Sequence, residues 1–360
     1  LKTSVLPRQK GKELLDIAVP DCGRCYLKVE YHLKQGTNFA VQGSLMGFDE
    51  ILLKNQDGRN QQKTALLEEC EEKNPELEIS ETDCFIFIQA ETFTYVYNKL
   101  TGLFEKINVD GKEILSVPME LNIWRAPTDN DRKIKQEWMA AGYDRSKARA
   151  YDTRWEINEK GVGIYSRMSV AAAAVQKVLD IDALWEVSNG GAVSVKMQVK
   201  KDMEFPQLPR FGIRLFLKEE YENLKYYGLG PQESYRDKFR SCSHGLYEST
   251  VEEQHEDYIR PQENGSHTDC DYMMIEKENQ TFTAVAPGSF SFNVSYYTQE
   301  ELTRKAHNFE LEKSGNTIVC LDYAQNGIGS NSCGPELRDK YQFNEEKFIF
   351  EMKLLFRKEK

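Results

Sequence analysis

The chain has 360 residues, and at about 150 residues per domain this length predicts two or three domains. Its 47 Lys and Arg residues against 58 Asp and Glu residues give a formal net charge of −11, which disfavours nucleic acid and anionic membranes as partners. No run approaches the roughly 20 apolar residues needed to span a bilayer, so the sequence predicts no transmembrane helix.

The first residues carry no initiator Met and no apolar signal core, and we expect the chain to be an internal piece of a longer protein. The 8 cysteines are not spaced as a disulfide framework; this favours a reducing cytoplasm, but the compartment stays open. The only close pair is Cys22 and Cys25. Without a second pair nearby it is interpreted as two thiols flanking a turn, and no metal site is predicted.

Short segments with an apolar or aromatic residue at every second position dominate the chain, as in half-buried strands. They are residues 29–33, 83–97, 193–199, 211–217, 281–297 and 347–356. Asp110-Gly111 and Asn189-Gly190 each separate two such segments. Both dipeptides predict a two-residue hairpin turn with positive φ at both positions. The sequence therefore predicts an all-β fold with antiparallel neighbours.

One short helix is predicted over residues 135–141, where Gly142 ends it. The four alanines at 171–174 have high helix propensity, but Val170, Val175 and Val178 around them favour a strand.

A charged, Pro-containing stretch at residues 68–78 has no hydrophobic period and is typical of a linker or an exposed loop. It predicts a first domain of residues 1–75, which is short for a complete sandwich. Residues 76–360 are long enough for one large all-β domain.

The sequence contains none of the common catalytic or cofactor motifs. Its 5 histidines form no HExxH motif, and there is no GxSxG elbow and no glycine-rich phosphate loop. Three polar, Gly- and Pro-rich stretches stand out instead: residues 122–132, residues 226–235 with a counterpart at 260–265, and residues 327–335. Their aromatic, amide and carboxylate groups suit sugar binding.

Two glutamates in these loops would meet the bare requirement for the acid and nucleophile of a glycosidase. Glu233 and Glu263 both occur in a Pro-Gln-Glu context. The favoured interpretation is that each carboxylate satisfies backbone N–H groups at a turn. Asp129 and Asp131 are likewise interpreted as turn-capping groups that could pair with Arg125.

Four segments, in this order, resemble the C-terminal region of the large beta-galactosidases of glycoside hydrolase family two. They are Trp124-Arg125-Ala126-Pro127-Thr128-Asp129-Asn130-Asp131, Tyr227-Gly228-Leu229-Gly230-Pro231-Gln232-Glu233-Ser234-Tyr235, Tyr258-Ile259-Arg260-Pro261-Gln262-Glu263-Asn264-Gly265 and residues 327–335. The resemblance implies that residues 76–360 form a large antiparallel supersandwich of the galactose-mutarotase type. Residues 1–75 are then part of an immunoglobulin-like β-sandwich.

The resemblance also implies a retaining hydrolase of terminal beta-D-galactosides, the parent enzyme, whose two catalytic glutamates lie in an upstream TIM barrel. This chain alone is then expected to be inactive, with no catalytic residue of its own. The resemblance assigns structural roles to six motif residues: Arg125, Asp129, Asn130, Asp131, Glu233 and Glu263.

In such an enzyme this portion would complete the rim of the active site and support assembly. Arg132, Lys133, Ile134 and Lys135 correspond to a loop beside the pocket entrance, with Lys133 where some members have a hinge-like Gly. Cys333 stands where some members have a Trp that stacks on the sugar, so Asn331 and Ser332 are expected to contribute hydrogen bonds instead.

The partners implied are the remainder of the beta-galactosidase chain, a beta-galactoside substrate and further copies of the parent enzyme in a homo-oligomer. No cofactor is expected in this portion, whereas the parent enzyme is expected to use magnesium and sodium ions. Two alternatives stay open: a free-standing carbohydrate-binding β-sandwich without hydrolase activity, and an interaction scaffold that buries its acidic sheets against other subunits.

Overall fold

The computed structural model describes residues 5–19, 24–55, 61–68, 77–329 and 334–358. Contacts divide the chain into two compact units, Leu1–Thr64 and Ala65–Lys360. The division falls before the predicted boundary at residue 75, which lies outside the described residues. The larger unit contains all the candidate loops.

In the first unit, the described strands β1 (Arg24–His32) and β2 (Leu45–Asn55) form an antiparallel pair. The predicted strand at 29–33 is therefore confirmed over residues 29–32, which belong to β1. Helix α1 (Gln61–Glu68) follows β2, spans the division at residue 64 and was not predicted. The immunoglobulin-like character of this region stays a prediction.

The second unit contains two antiparallel sheets among its described residues. A five-stranded sheet is formed by β3 (Glu78–Glu81), β4 (Phe85–Gln89), β5 (Phe93–Asn98), β6 (Leu103–Val109) and β7 (Lys112–Glu113). The twelve-stranded sheet is formed by β8 (Leu115–Asn122), β9 (Lys147–Asn158), β10 (Gly161–Ala171), β11 (Leu179–Ser188), β12 (Val193–Lys201), β13 (Arg210–Lys218), β14 (Asn223–Gly230), β15 (Ser243–Thr250), β16 (Ser266–Lys277), β17 (Gln280–Ser295), β18 (Asn316–Gln325) and β19 (Lys347–Lys358). The prediction of an all-β fold with a large antiparallel sheet is confirmed.

Two helices interrupt the strands of this unit within the described residues, α2 (Ile134–Ala140) and α3 (Gln299–Arg304). Helix α2 confirms the predicted helix to within a residue at each end. Gly142 follows it with φ of 75°, the left-handed conformation that commonly ends a helix.

The two sheets pack face to face through aromatic side chains. Phe104 of the smaller sheet meets Trp185 of the larger one edge to face, with ring centroids 5.2 Å apart. The Trp185 indole donates to the Gly102 carbonyl at 3.1 Å, and the Tyr95 hydroxyl donates to the Gly191 carbonyl at 2.7 Å. Burial of each such ring stabilises the fold by about 2–3 kcal/mol.

Both predicted hairpins are present, but only one has the predicted turn. Asp110 and Gly111 have φ of 49° and 73°, as a two-residue turn requires. Beyond Asn189-Gly190 the left-handed residue is Gly191, with φ of 82°. The Ser188 N–H donates to the Ala192 carbonyl at 2.8 Å, so the loop has three residues and the two-residue prediction is wrong there.

Two further strand predictions need correction. The segment 83–97 is a hairpin of β4 and β5, because the chain turns between Ala90 and Phe93. The alanine run leaves the sheet after Ala171 and forms a turn between β10 and β11, with Ala174 at φ of 61°. Alanine contributes little cross-strand packing, which explains why the strand ends there.

Candidate functional site

The order of strands in the large sheet brings the four motif loops to one end of it. β13 pairs with both β8 and β18, so the end of β8, the start of β13 and the end of β18 are adjacent. β14 ends near the start of β16, where the Ser234 N–H donates to the Ser266 carbonyl at 2.6 Å. Loops that are distant in sequence therefore meet.

Arg125 is the buried centre of this loop cluster. Its Nη2 lies 2.8 and 3.0 Å from the two carboxylate oxygens of Asp131, and it donates to the Gly327 carbonyl at 3.0 Å. Its Nη1 donates to the Asn326 carbonyl. The guanidinium also lies over the Trp138 ring, 5.3 Å from the centroid, so α2 packs against the same group. Arg125 thus joins the first motif to the last.

The other residues of the first motif fix its turn. Asp131 accepts from the Thr128 N–H at 2.9 Å and from the Thr128 hydroxyl at 3.1 Å, which caps the 3₁₀ turn Asp129–Asp131. Asn130 Nδ2 donates to the Ile328 carbonyl at 2.6 Å. Asp129 is exposed, with its carboxylate 3.8 Å from Arg260.

Glu263 lies in a fully buried ion cluster. Its Oε2 is 3.2 Å from Nη1 of Arg210, whose Nε donates to Asp322 at 3.0 Å. Burial raises the pKa of both carboxyls, and the Arg210 charge opposes that rise. The Glu263 N–H also donates to the Ala126 carbonyl at 3.0 Å, which links the third motif to the first.

Glu233 lies in a separate hydrogen-bond network. Its Oε2 accepts from the Gly265 N–H at 2.8 Å and from the Tyr235 hydroxyl at 3.4 Å, and its Oε1 accepts from Lys238 and from Tyr258. Glu233 therefore binds Lys238 and Glu263 binds Arg210, so each carboxylate is paired with a different cation.

Arg132 and Lys133 are exposed, but they do not form a loop with residues 134 and 135. Arg132 follows the 3₁₀ turn, and α2 begins at Ile134 directly after Lys133. Ile134 and Lys135 of the expected loop are therefore helical, and only Arg132 and Lys133 connect the capped turn to α2.

The rim candidates Lys133 and Arg132 line two neighbouring cavities. Lys133 and Asn130 line a cavity of about 270 Å³ that reaches Gly327 and Glu336. Arg132 lines a groove of about 280 Å³. A larger cavity, about 760 Å³, lies at the opposite end of β13 and β18 and contains no predicted site residue.

The remaining rim candidates, Asn331, Ser332 and Cys333, lie outside the described residues. The backbone of Ile328 and Gly329, which precedes them, is held by hydrogen bonds. Asp237 accepts from the N–H groups of Ile328 and Gly329 at 2.9 and 2.8 Å.

The sequence analysis missed Arg210, Asp322 and Asp237. A usable signal existed for Asp322, because it places a charge inside a strand whose other residues are mostly apolar, whereas Arg210 only begins its strand. Such a charge needs a buried partner. Asp237 offered no comparable signal, since an Asp in a polar loop is ordinary.

No group of three or more His, Cys, Asp and Glu side chains in the described ranges is placed to hold a metal ion. No metal site is therefore assigned to these residues. Within the same ranges, no helix combines the length and the apolar composition needed to cross a membrane.

Comparison with known proteins identifies the family. The family model described as Beta galactosidase small chain matches residues 89–354. A beta-galactosidase of Actinobacillus pleuropneumoniae is 38% identical over 332 residues, covering 92% of this chain and 32% of that protein. A beta-galactosidase of Staphylococcus xylosus is 35% identical over 330 residues, covering 91% of this chain and 32% of that protein.

Among solved structures, a galactose mutarotase-like protein from Lactobacillus casei ATCC 334 matches 76% of this chain and 100% of its own, with 10% identity and a TM-score of 0.42. The chain spans about a third of the length of the two beta-galactosidases. The resemblance stated from the four motifs is confirmed, and the chain belongs to the beta-galactosidase small chain family.

Proposed function

We propose that this chain is the terminal portion of a retaining beta-galactosidase and that it completes the rim of the active site without supplying a catalytic group. The observation that carries the proposal is the meeting of the four motif loops at one end of the large sheet, where the first and the last of them line a cavity through Asn130 and Gly327. The beta-galactosidase relatives support the reaction class. Their greater length supports a catalytic portion elsewhere in the parent enzyme.

The surroundings of the two candidate carboxylates support the absence of a catalytic pair. A retaining mechanism needs one carboxylate free to attack the sugar and one carboxyl able to protonate the leaving group, about 5 Å apart. Glu263 is buried against Arg210, and Glu233 is bonded to Lys238 and to the Gly265 N–H. Neither carboxylate faces one of the cavities described above.

The rim role is tested by substituting an exposed cavity residue in the parent enzyme. Lys133 is exposed and lines this cavity. We expect Lys133→Ala to lower kcat/KM for a chromogenic beta-galactoside by about three- to tenfold through lost sugar contacts. Lys160→Ala, at an exposed turn between β9 and β10, is the matched control and should not change kcat/KM.

The claim that the catalytic groups lie outside this chain is tested with the 360-residue chain alone. It should not turn over the chromogenic substrate, and calorimetric titration with galactose should show no binding by an incomplete pocket. Turnover that disappears in Glu233→Gln or Glu263→Gln would overturn the claim that catalysis lies elsewhere. Binding of galactose without turnover would support the carbohydrate-binding alternative.

A further inference from the structure

Three turns surround a cavity of about 470 Å³ at the end of the large sheet opposite the motif loops. Lys218, the last residue of β13, lines it, whereas Arg210, the first residue of that strand, belongs to the ion cluster beside the motif loops. The turn after β13 lies against the turn between β16 and β17, because the Glu222 N–H donates to the Glu276 carbonyl at 3.1 Å. The third turn is Asp110-Gly111 of the smaller sheet. Residues far apart in sequence therefore meet at this cavity.

Two polar side chains that line the cavity are buried with unused hydrogen-bonding capacity. Tyr221 is 2% exposed and Gln280 is 6% exposed. In the described part of the chain, neither the Tyr221 hydroxyl nor the Gln280 amide has a hydrogen-bond partner. Burial and the nearby Glu220 charge raise the pKa of Tyr221 to about 12, so its hydroxyl keeps its proton at neutral pH. Because buried polar groups are nearly always paired, these two side chains are placed to donate to a molecule that enters the cavity.

The charged groups around the cavity are mainly cationic. Lys112, Lys218 and Lys277 line it, together with the carboxylate of Glu113. Glu220 lies 3.1 Å from Nζ of Lys277 and balances part of that charge. Three lysines against these two carboxylates still leave a net positive charge. This local excess is opposite in sign to the net charge of −11 on the whole chain, and it favours an anionic ligand.

We propose that this cavity binds the phosphate group of a small molecule. Its donors are ammonium, hydroxyl and amide groups on separate turns, and together they suit the several oxygens of a tetrahedral phosphate. A carboxylate has only two oxygens and would leave some of these donors unused. The volume of about 470 Å³ also leaves room for the group that carries the phosphate. This inference does not depend on the proposed function, because the cavity lies at the other end of the sheet from the candidate rim.

The test is calorimetric titration of the 360-residue chain with inorganic phosphate at constant ionic strength, so that screening by salt does not change during the titration. We expect saturable binding by the wild type. Lys218→Met keeps the apolar part of the side chain and should weaken phosphate binding about fivefold, because a charged donor is lost. Tyr221→Phe removes only the hydroxyl and should weaken it about threefold.

Two matched controls remove the same groups outside the cavity. Lys160→Met changes an exposed lysine at the turn between β9 and β10, and Tyr165→Phe removes a hydroxyl that bonds to Glu156 at 3.1 Å. Both should bind phosphate as the wild type does. Thermal unfolding without phosphate should be nearly the same in Tyr221→Phe and in the wild type, since this hydroxyl has no partner among the described residues. Phosphate should raise the unfolding temperature less in Tyr221→Phe than in the wild type.

Three results would overturn the proposal. They are an absence of binding at about 20 mM phosphate, equal affinity in the cavity variants and the controls, and binding of acetate as tight as that of phosphate. Glycerol phosphate, titrated in the same way, distinguishes the source of the phosphate group. Tighter binding than that of inorganic phosphate would support an organic phosphate as the ligand, and equal binding would support the free anion.

Discussion

Protonation of His267 is expected to make the fold sensitive to mild acid. Its Nδ1 lies 3.1 Å from both the Tyr226 hydroxyl and the Leu229 carbonyl, and its Nε2 contacts Gln254. The ring is almost fully buried between strands of the large sheet. Burial lowers its pKa from 6.5 to about 4, which outweighs the opposing effects of the Leu229 carbonyl and the Glu233 charge.

The sign of the effect follows from which state binds the proton. Between pH 6.5 and about 4 the unfolded chain holds a proton on this imidazole and the folded chain does not. The free energy of unfolding therefore falls as the pH falls through this window. From about pH 7.5 to about pH 5, the loss from this single group is about 2 kcal/mol.

Urea unfolding of the 360-residue chain at these two pH values measures the effect, with His267→Gln as the variant. Loss of ring packing against Tyr226 and Phe292 lowers stability at both pH values, so the informative quantity is the pH-dependent difference. The change in unfolding free energy between the two pH values should be about 2 kcal/mol smaller in His267→Gln than in wild type. An equal pH dependence in wild type and His267→Gln would refute the reasoning.

Two further substitutions test the packing around the motif loops. Arg210→Met leaves two buried carboxylates without their cation and should lower the free energy of unfolding by about 3–5 kcal/mol. In urea titration the exposed control Arg304→Met should lose less than about 1 kcal/mol, and an equal loss in both would contradict the assignment. Gly228→Ala would place a Cβ 2.4 Å from the Cys270 sulfur and should cost about 1–3 kcal/mol. The Cβ added by Gly288→Ala would have no neighbouring atom within 4 Å, so this substitution should leave the thermal unfolding temperature nearly unchanged.

Local turn chemistry could be predicted from the sequence only where one residue alone satisfied the backbone requirement. At Asp110-Gly111 the neighbours offer no other glycine, and the predicted turn is present. At Asn189-Gly190 the next residue is also glycine, and Gly191 takes the left-handed position. The hairpin was predictable from the flanking strands, whereas the loop length depended on a choice between adjacent glycines.

The buried ion cluster could not be predicted because its members are far apart along the chain. Arg210 is separated from Glu263 by 53 residues and from Asp322 by 112. The sequence shows that Asp322 interrupts the apolar pattern of β18, but pairing this charge with its partner requires knowing which strands are neighbours.

The candidate site depends on strand register as much as on the motif residues themselves. β8, β13 and β18 are not consecutive in sequence, yet their pairing places Arg210 opposite Gln325 and Gly212 opposite both Asn122 and Asp322. A one-residue slip of β18 would turn Asp322 to the other face of the sheet and leave Arg210 buried without it. Substitutions in the interior of β13 or β18 can therefore disturb the rim without touching it, because the loops at the end of the sheet take their positions from these strands.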